Sequence, residues 1–205
     1  MLQIRNVQFA WPGGDRLTYD LTIEAGAIIA LHGASGVGKS TLLELIAGFE
    51  TPDHGEILWQ DRRLNDLSPW DRPVTTVFQS DNLFAHLTCI ENILIAIGAD
   101  KNTAPDTLSA VHASFDQLGL TGLQDRLPGH ISGGQQQRVA LVRAMMRQKP
   151  ILLLDESFSA LDWDLRTECF DALQTVVQTH NMAAILVSHD LRDADYLGCA
   201  THRLS

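Results

Sequence analysis

Gly33-Ala34-Ser35-Gly36-Val37-Gly38-Lys39-Ser40, followed by Thr41, fits the pattern G-x-x-x-x-G-K-[ST] and lies between a short apolar run and an amphipathic segment. The residue types say what such a loop can do. Glycines let successive backbone N–H groups converge on an anion, and Lys39 can reach the β and γ phosphates of a nucleotide. The Ser40 hydroxyl can ligate Mg²⁺, and the start of the following helix favours negative charge. A plain glycine-rich turn is the alternative, and the strand, loop and helix order is the context that distinguishes the two. The loop by itself does not separate kinases, GTPases and ATPases.

A second group of candidates is Asp155-Glu156, two acids at the end of the apolar run Ile151-Leu152-Leu153-Leu154. Ligands of open α/β sheets collect at that end of a strand. Asp155 is placed to hold Mg²⁺ directly or through water, and Glu156 to orient or activate an attacking water; capping of the loop is the simpler alternative. A glutamate beside the metal carboxylate favours hydrolysis over transfer. The third group is Ser132-Gly133-Gly134-Gln135, a serine and two glycines ahead of a helix predicted from Gln135 onward. It reads as a second anion-binding helix start, or as no more than a turn and a cap. Two such cradles in one chain suggest sites shared between two chains.

Positioning these groups requires a sheet. Leu2 to Phe9 and Leu17 to Ile23 read as strands, the second with Leu17, Tyr19, Leu21 and Ile23 alternating with Thr18, Asp20 and Thr22. Ala27 to Leu31, Ile151 to Leu154 and Ala183 to Val187 are apolar without alternation, as strands buried on both faces are. Glu56 to Gln60 and Val74 to Gln79 are further strand candidates. Helices are expected from Lys39 to a stop at Gly48 and from Leu165 to Val177. Leu83 to Met146 reads as a mainly helical insertion, with Ile90, Ile93, Leu94 and Ile97 on one face and Leu108, Val111, Phe115 and Leu118 on another. Asp100 to Pro105 reads as a surface loop. The alternation of strands and helices predicts an α/β fold around a parallel sheet.

At 205 residues with 45% hydrophobic content, a single domain with a substantial core is expected. A net charge of −10 disfavours binding to nucleic acid or direct adsorption to anionic lipid, so any membrane contact is expected to run through a protein. Cys89, Cys169 and Cys199 are widely spaced and form no C-x-x-C pair, which predicts free thiols and a reducing compartment. No apolar run reaches the ~20 residues of a membrane span, and the N-terminus lacks the apolar core of a secretory signal. A cytosolic location follows as the expectation. The eight histidines show no H-E-x-x-H spacing, and no N-K-x-D guanine-reading motif occurs.

Ile131-Ser132-Gly133-Gly134-Gln135, followed by Gln136-Gln137-Arg138, resembles the signature motif of ABC ATPases. The resemblance extends in order over essentially the whole chain. It implies a P-loop NTPase fold with a mostly parallel core sheet, an antiparallel β subdomain and an inserted helical subdomain. The corresponding divisions are 1–84, 85–146 and 147–205. It implies that the signature motif closes over the ATP held by a second copy, in a head-to-tail dimer with two ATPs sandwiched. Phe78-Gln79 resembles the Q-loop, whose Gln79 would approach Mg²⁺ and the attacking water. Ser159-Ala160-Leu161-Asp162 resembles the D-loop, and His189 in Val187-Ser188-His189-Asp190 the switch histidine. Trp11 stands where the family places an aromatic that stacks on adenine; a turn or core aromatic is the other reading. Ser157 departs from the family's commoner proline and Ile131 from its leucine. By the same pattern the chain is expected to stop before the final strands of the domain.

Ile46-Ala47-Gly48-Phe49, Arg72-Pro73-Val74 and Phe78 to Thr88 are most similar to ATP-binding subunits of bacterial importers, those for thiamine in particular. This resemblance implies ATP and Mg²⁺ as ligands, an integral membrane permease as partner and, indirectly, an extracytoplasmic solute-binding protein. It also implies a peripheral position on the cytoplasmic face of the inner membrane. Importers of iron(III), polyamines or sugars stay open as alternatives. So, from another class, does a soluble ABC ATPase acting on ribosomes or DNA, although the tandem units or long coiled coil usual there are absent.

Overall fold

The computed structural model describes residues 1–80, 82–99 and 103–204. It contains β1 (Leu2–Ala10), β2 (Arg16–Ile23), β3 (Ile28–His32), α1 (Lys39–Ala47), β4 (His54–Trp59), β5 (Arg62–Arg63) and β6 (Val74–Val77). These are followed by α2 (Cys89–Ala96), α3 (Pro105–Gln117), a 3₁₀ turn (Pro128–His130), α4 (Gly133–Met146) and β7 (Ile151–Asp155). α5 (Trp163–Thr179), β8 (Ala183–Val187), α6 (Leu191–Leu197) and β9 (Ala200–Arg203) complete the order. The chain forms two compact units: Met1–Thr76 with Lys149–Asp155 and Val177–Ser205, and Val77–Gln148 with Glu156–Val176.

The first unit carries both sheets. One is four-stranded in the order β2-β1-β4-β5, and its β1–β2, β1–β4 and β4–β5 pairings are antiparallel. The alternation expected of β2 is realised, since Tyr19, Leu21 and Ile23 are buried while Thr18, Asp20 and Thr22 are exposed. The other is five-stranded in the order β6-β7-β8-β3-β9, and the registers of β7–β8, β8–β3 and β3–β9 are all parallel. Central β8 is buried at every residue, as its run without alternation requires. The core of this unit joins Ile4, Ile23 and Ile57 of the antiparallel sheet to Leu31, Leu153, Ile185 and the inner face of α1. Burying each such aliphatic side chain contributes roughly 1.5–3 kcal/mol.

α1 stops where glycine predicted. Gly48 adopts φ +86°, and its N–H bonds back to Glu44 O. A Cβ there would also strike the Arg72 guanidinium. Arg72, only 2% exposed, donates to Leu45 O at 2.7 Å and Ile46 O at 2.9 Å, supplying the end of α1 with a cation and two donors.

The second unit is helical: α2, α3, α4 and most of α5. Val111 and Phe115 of α3 are fully buried, as are Ile93 of α2 and Val139 and Val142 of α4. Fully buried Asn92 holds the preceding loop, accepting from Phe84 N and donating to the carbonyls of Phe84, Leu87 and Thr88. The three cysteines are free, and no helix among the described residues is long and apolar enough to cross a membrane.

One helix boundary shifts, and one strand was not anticipated. The helix predicted from Gln135 begins at Gly133, because Ser132 and Gln135 cap each other across the first turn. A strand does follow His189: β9 pairs with β3, with Ile29 opposite Ala200 and His32 opposite Arg203. Its residues are mostly exposed, so no apolar pattern marked it. Of the loop expected over Asp100 to Pro105, Asp100, Lys101 and Asn102 lie outside the described residues, and Pro105 opens α3.

Candidate nucleotide site

In the first unit the sheet gathers three of the sequence candidates at the C-terminal ends of its three interior strands. Asp155 pairs with Val187, which on its other side pairs with Leu31. The phosphate loop after β3, the acid ending β7 and the Ser188-His189 turn after β8 therefore leave the sheet in one row.

The loop is shaped by packing as well as by its glycines. Lys39, 6% exposed, folds its ammonium back into the loop and donates to Gly33 O at 2.8 Å and Ala34 O at 2.9 Å. Gly36 and Gly38 lie at φ +80° and +97°. A Cβ at Gly38 would come 2.5 Å from the Tyr19 hydroxyl and 2.8 Å from Leu17. That hydroxyl donates to Gly38 O at 2.7 Å, and burial, helped by nearby Glu44, holds the phenol well above its ordinary pKa. Under Gly33 there is equally little room, since a Cβ would stand 2.9 Å from Leu204 O, just beyond β9. At the start of α1, Gly38 makes no side-chain cap and the first turn holds no acidic residue. The leading N–H groups thus keep their donor capacity beside a lysine ammonium, with exposed Ser40 among them. This donor set fits a phosphate chain.

The turn after β8 is anchored from below. The Ser188 hydroxyl donates to Asp193 Oδ2 at 2.5 Å and accepts from Asp190 N at 3.0 Å, leaving His189 exposed between them. His32, at the end of β3, is 7% exposed, and its Nε2 has no hydrogen-bond partner among the described residues. Desolvation lowers its pKa, opposed in part by Asp193. Trp11 is 46% exposed and meets Phe9 edge-on at 5.0 Å, which places it in a turn and outside the core.

In the second unit Gln79 Nε2 donates to Glu156 Oε2 at 3.0 Å, joining two candidates that are 77 residues apart. Glu156 takes φ +48°, rare for a residue with a side chain. Beside it Ser157 is buried and donates to Val77 O at 3.0 Å. Asn82 closes the Gln79 segment by bonding both Phe78 N and Phe78 O. Gln137 of α4 donates to Gln79 O at 3.5 Å. A cavity of about 310 Å³, of mixed polar and apolar lining, lies among Gln79, Asn82, Leu83, Gly133, Gln137 and Ala160.

At the start of α4, Ser132 Oγ accepts from Gln135 N at 3.3 Å while Gln135 Oε1 accepts from Ser132 N at 2.9 Å, a reciprocal capping box. Gly133 is exposed, and a Cβ there would meet nothing within 4 Å. Arg138, one turn on, is buried and donates to Leu118 O at 2.7 Å, so it braces the end of α3. Asp162 accepts from Leu165 N at 3.0 Å and so opens α5.

Asn92 and Asp193 were not singled out from sequence, and Tyr19, Arg72 and Ser157 were read there only as part of a strand pattern or of the family resemblance, without the contacts they make. The second capping box, Thr88 with Glu91, carried a readable T-x-x-E signal at the start of α2. Asp81, within the Phe78 to Thr88 stretch, lies outside the described residues.

The ABC transporter family model matches residues 18–159. The chain belongs to that family. As an ABC cassette it is an ATPase with the α/β fold expected of one. The thiamine import ATP-binding protein ThiQ of Chelativorans sp. (strain BNC1) is 42% identical over 197 residues, covering 96% of this chain and 80% of that protein. ThiQ of Escherichia coli (strain K12) is 44% identical over 178 residues, covering 87% and 77%. Among solved structures, the dimeric post-hydrolysis state of the ATP-binding cassette MJ0796 bound to ADP and Pi superposes with a TM-score of 0.85 at 27% identity, covering all of this chain and 94% of that one.

Proposed function

We propose that this chain is the ATP-hydrolysing subunit of a thiamine importer, working as a head-to-tail dimer beneath a membrane permease. The observation that carries the nucleotide reading is the phosphate loop: an uncapped helix start, glycines that packing forbids to carry side chains, and a buried lysine ammonium aimed into the loop. Relatives at 42% and 44% identity bear the name of thiamine import proteins, which supports the substrate assignment.

In this reading Gly33, Ala34, Ser35, Gly36, Val37 and Gly38 wrap the β and γ phosphates with backbone N–H groups. Lys39 exchanges its loop carbonyls for phosphate oxygens, Thr41 continues the first turn of α1, and Trp11 stacks on adenine. Ser40, Asp155 and Gln79 are the Mg²⁺ ligands, directly or through water; a hydroxyl, a carboxylate and an amide oxygen suit a hard cation. Bound there, Mg²⁺ would neutralise charge on the β and γ oxygens. Glu156 accepts a proton from the attacking water, Gln79 orients it, and His189 contacts the γ phosphate; water adds to phosphorus as the bond to ADP breaks, giving ADP and phosphate. Ser132, Gly133, Gly134 and Gln135 meet the γ phosphate held by the partner copy. Closing and reopening of the dimer pass movement through the Gln79 segment to the permease. A solute-binding protein outside the membrane delivers thiamine, and the chain itself lies on the cytoplasmic face.

The test is co-purification of a tagged chain from gently solubilised native membranes, with ATP hydrolysis measured on the product. A stoichiometric multi-span protein, thiamine-stimulated ATP hydrolysis in reconstituted vesicles, and activity abolished by Lys39→Ala are expected. Retention of ribosomal proteins alone would overturn the importer reading in favour of the soluble ATPase.

A further inference from the structure

Ser157 stands beside the carboxylate that Gln79 engages, yet its own hydroxyl is used elsewhere. It is 3% exposed and donates to Val77 O at 3.0 Å across 80 residues of sequence. Val77 ends β6 and precedes Gln79 by two residues; Gln79 returns a bond to Glu156 at 3.0 Å. Two hydrogen bonds of opposite direction therefore join the short segments Val77 to Gln79 and Glu156 to Ser157. They are unequal in kind. The Gln79–Glu156 bond is exposed and exchanges readily with water, whereas the Ser157–Val77 bond is buried, so that losing it leaves a buried carbonyl short of that donor. The buried bond joins residues that lie within two positions of both partners of the exposed one.

The backbone points the same way. Glu156 lies at φ +48°, a conformation that persists only where its surroundings enforce it. Ser159 N bonding to Glu156 O at 3.2 Å closes the turn on one side, and the Ser157 hydroxyl fixes it on the other. A proline at 157 would press the preceding residue toward extended backbone and would offer no hydroxyl.

We propose that Ser157 is a positioning residue for hydrolysis: its hydroxyl ties the Glu156 turn to the end of β6 and so keeps the Glu156 carboxylate paired with the Gln79 amide. This rests on the roles given above to Glu156 and Gln79. The full-length wild type, Ser157→Ala and Ser157→Cys are compared, each also combined with Gln79→Ala, for steady-state ATP hydrolysis, binding of a fluorescent ATP analogue and thermal unfolding. Ser157→Ala is expected to lower kcat about five- to twenty-fold, with KM for MgATP and the Kd of the analogue within about twofold of wild type. Cysteine, close in size and a weaker donor, falls between. Combined with Gln79→Ala, the serine change should cost less than about twofold more, because the pair it serves is gone. A kcat for Ser157→Ala within twofold of wild type overturns the proposal, and so does an equal loss in both backgrounds, which a general loosening would give. If Ser157→Ala shows no cooperative unfolding, Ser157→Cys is judged by the same two criteria. A wild type that neither hydrolyses ATP nor binds the analogue overturns the reading of the site itself, and this inference with it.

Discussion

At the start of α1 no side chain caps the helix, and the loop before it is held by distant parts of the chain: Tyr19 and Leu17 against Gly38, Leu204 beneath Gly33. At the start of α4 the reverse holds. Ser132 and Gln135 cap each other within four residues, and Gly133 has open space around it. Of the two helix starts proposed to bind anions, one is shaped by a core that leaves its N–H groups without a side-chain cap; the other is shaped by its own sequence and presents bare glycine. A site that must grip phosphate in every state of a cycle is well served by the first construction. One that closes on a partner's nucleotide is well served by the second, whose shape depends on nothing remote.

Substitutions at the two helix starts, and at the carboxylate they would serve, put this contrast at risk. The largest effect is expected at Glu156, where Glu156→Gln should cut hydrolysis by roughly a hundredfold or more, as loss of a general base does. It should also accumulate an ATP-bound dimer in sedimentation with MgATP; a variant that remains monomeric would contradict the shared-site arrangement. Next comes a pair of glycines. Gly38→Ala, at φ +97° and against Tyr19, should lose about 1–3 kcal/mol in denaturant unfolding. Gly133→Ala should unfold within about 0.5 kcal/mol of wild type, while its ATPase falls at least several-fold. Equal stability losses at the two glycines would erase the distinction. Ser132→Ala removes half of a capping box and should cost about 1 kcal/mol, read as faster hydrogen exchange in the first turn of α4.

The smallest effect concerns pH. His32 has a lowered pKa in the folded chain because burial disfavours its charged form. Below its ordinary value near 6.5 the unfolded chain takes up the proton first, so this histidine contributes a loss of stability as pH falls from about 7 toward 5. Replacing it in His32→Leu should flatten that part of the stability profile measured by denaturant titration. An unchanged slope would mean that the buried imidazole is protonated as easily as an exposed one.

Local pattern was enough to determine much of this protein. The phosphate loop, the alternation of β2, the buried runs of β3, β7 and β8 and the Gly48 stop are legible because they depend on spacing and on backbone freedom, which neighbours in sequence dictate. The family motifs, too, are contiguous strings. Whatever holds those strings in place was settled in three dimensions. Arg72 reaches back to α1, Asn92 folds the loop before α2, Asp193 anchors the turn that carries His189, and Ser157 finds Val77 across 80 residues. β9 belongs with them, since its exposed residues carry no periodic signal and only the open edge of β3 makes them a strand. The physical reason is the same in each case. A polar side chain or strand edge is satisfied by whichever partner folding brings within hydrogen-bond distance, and sequence separation says nothing about that partner.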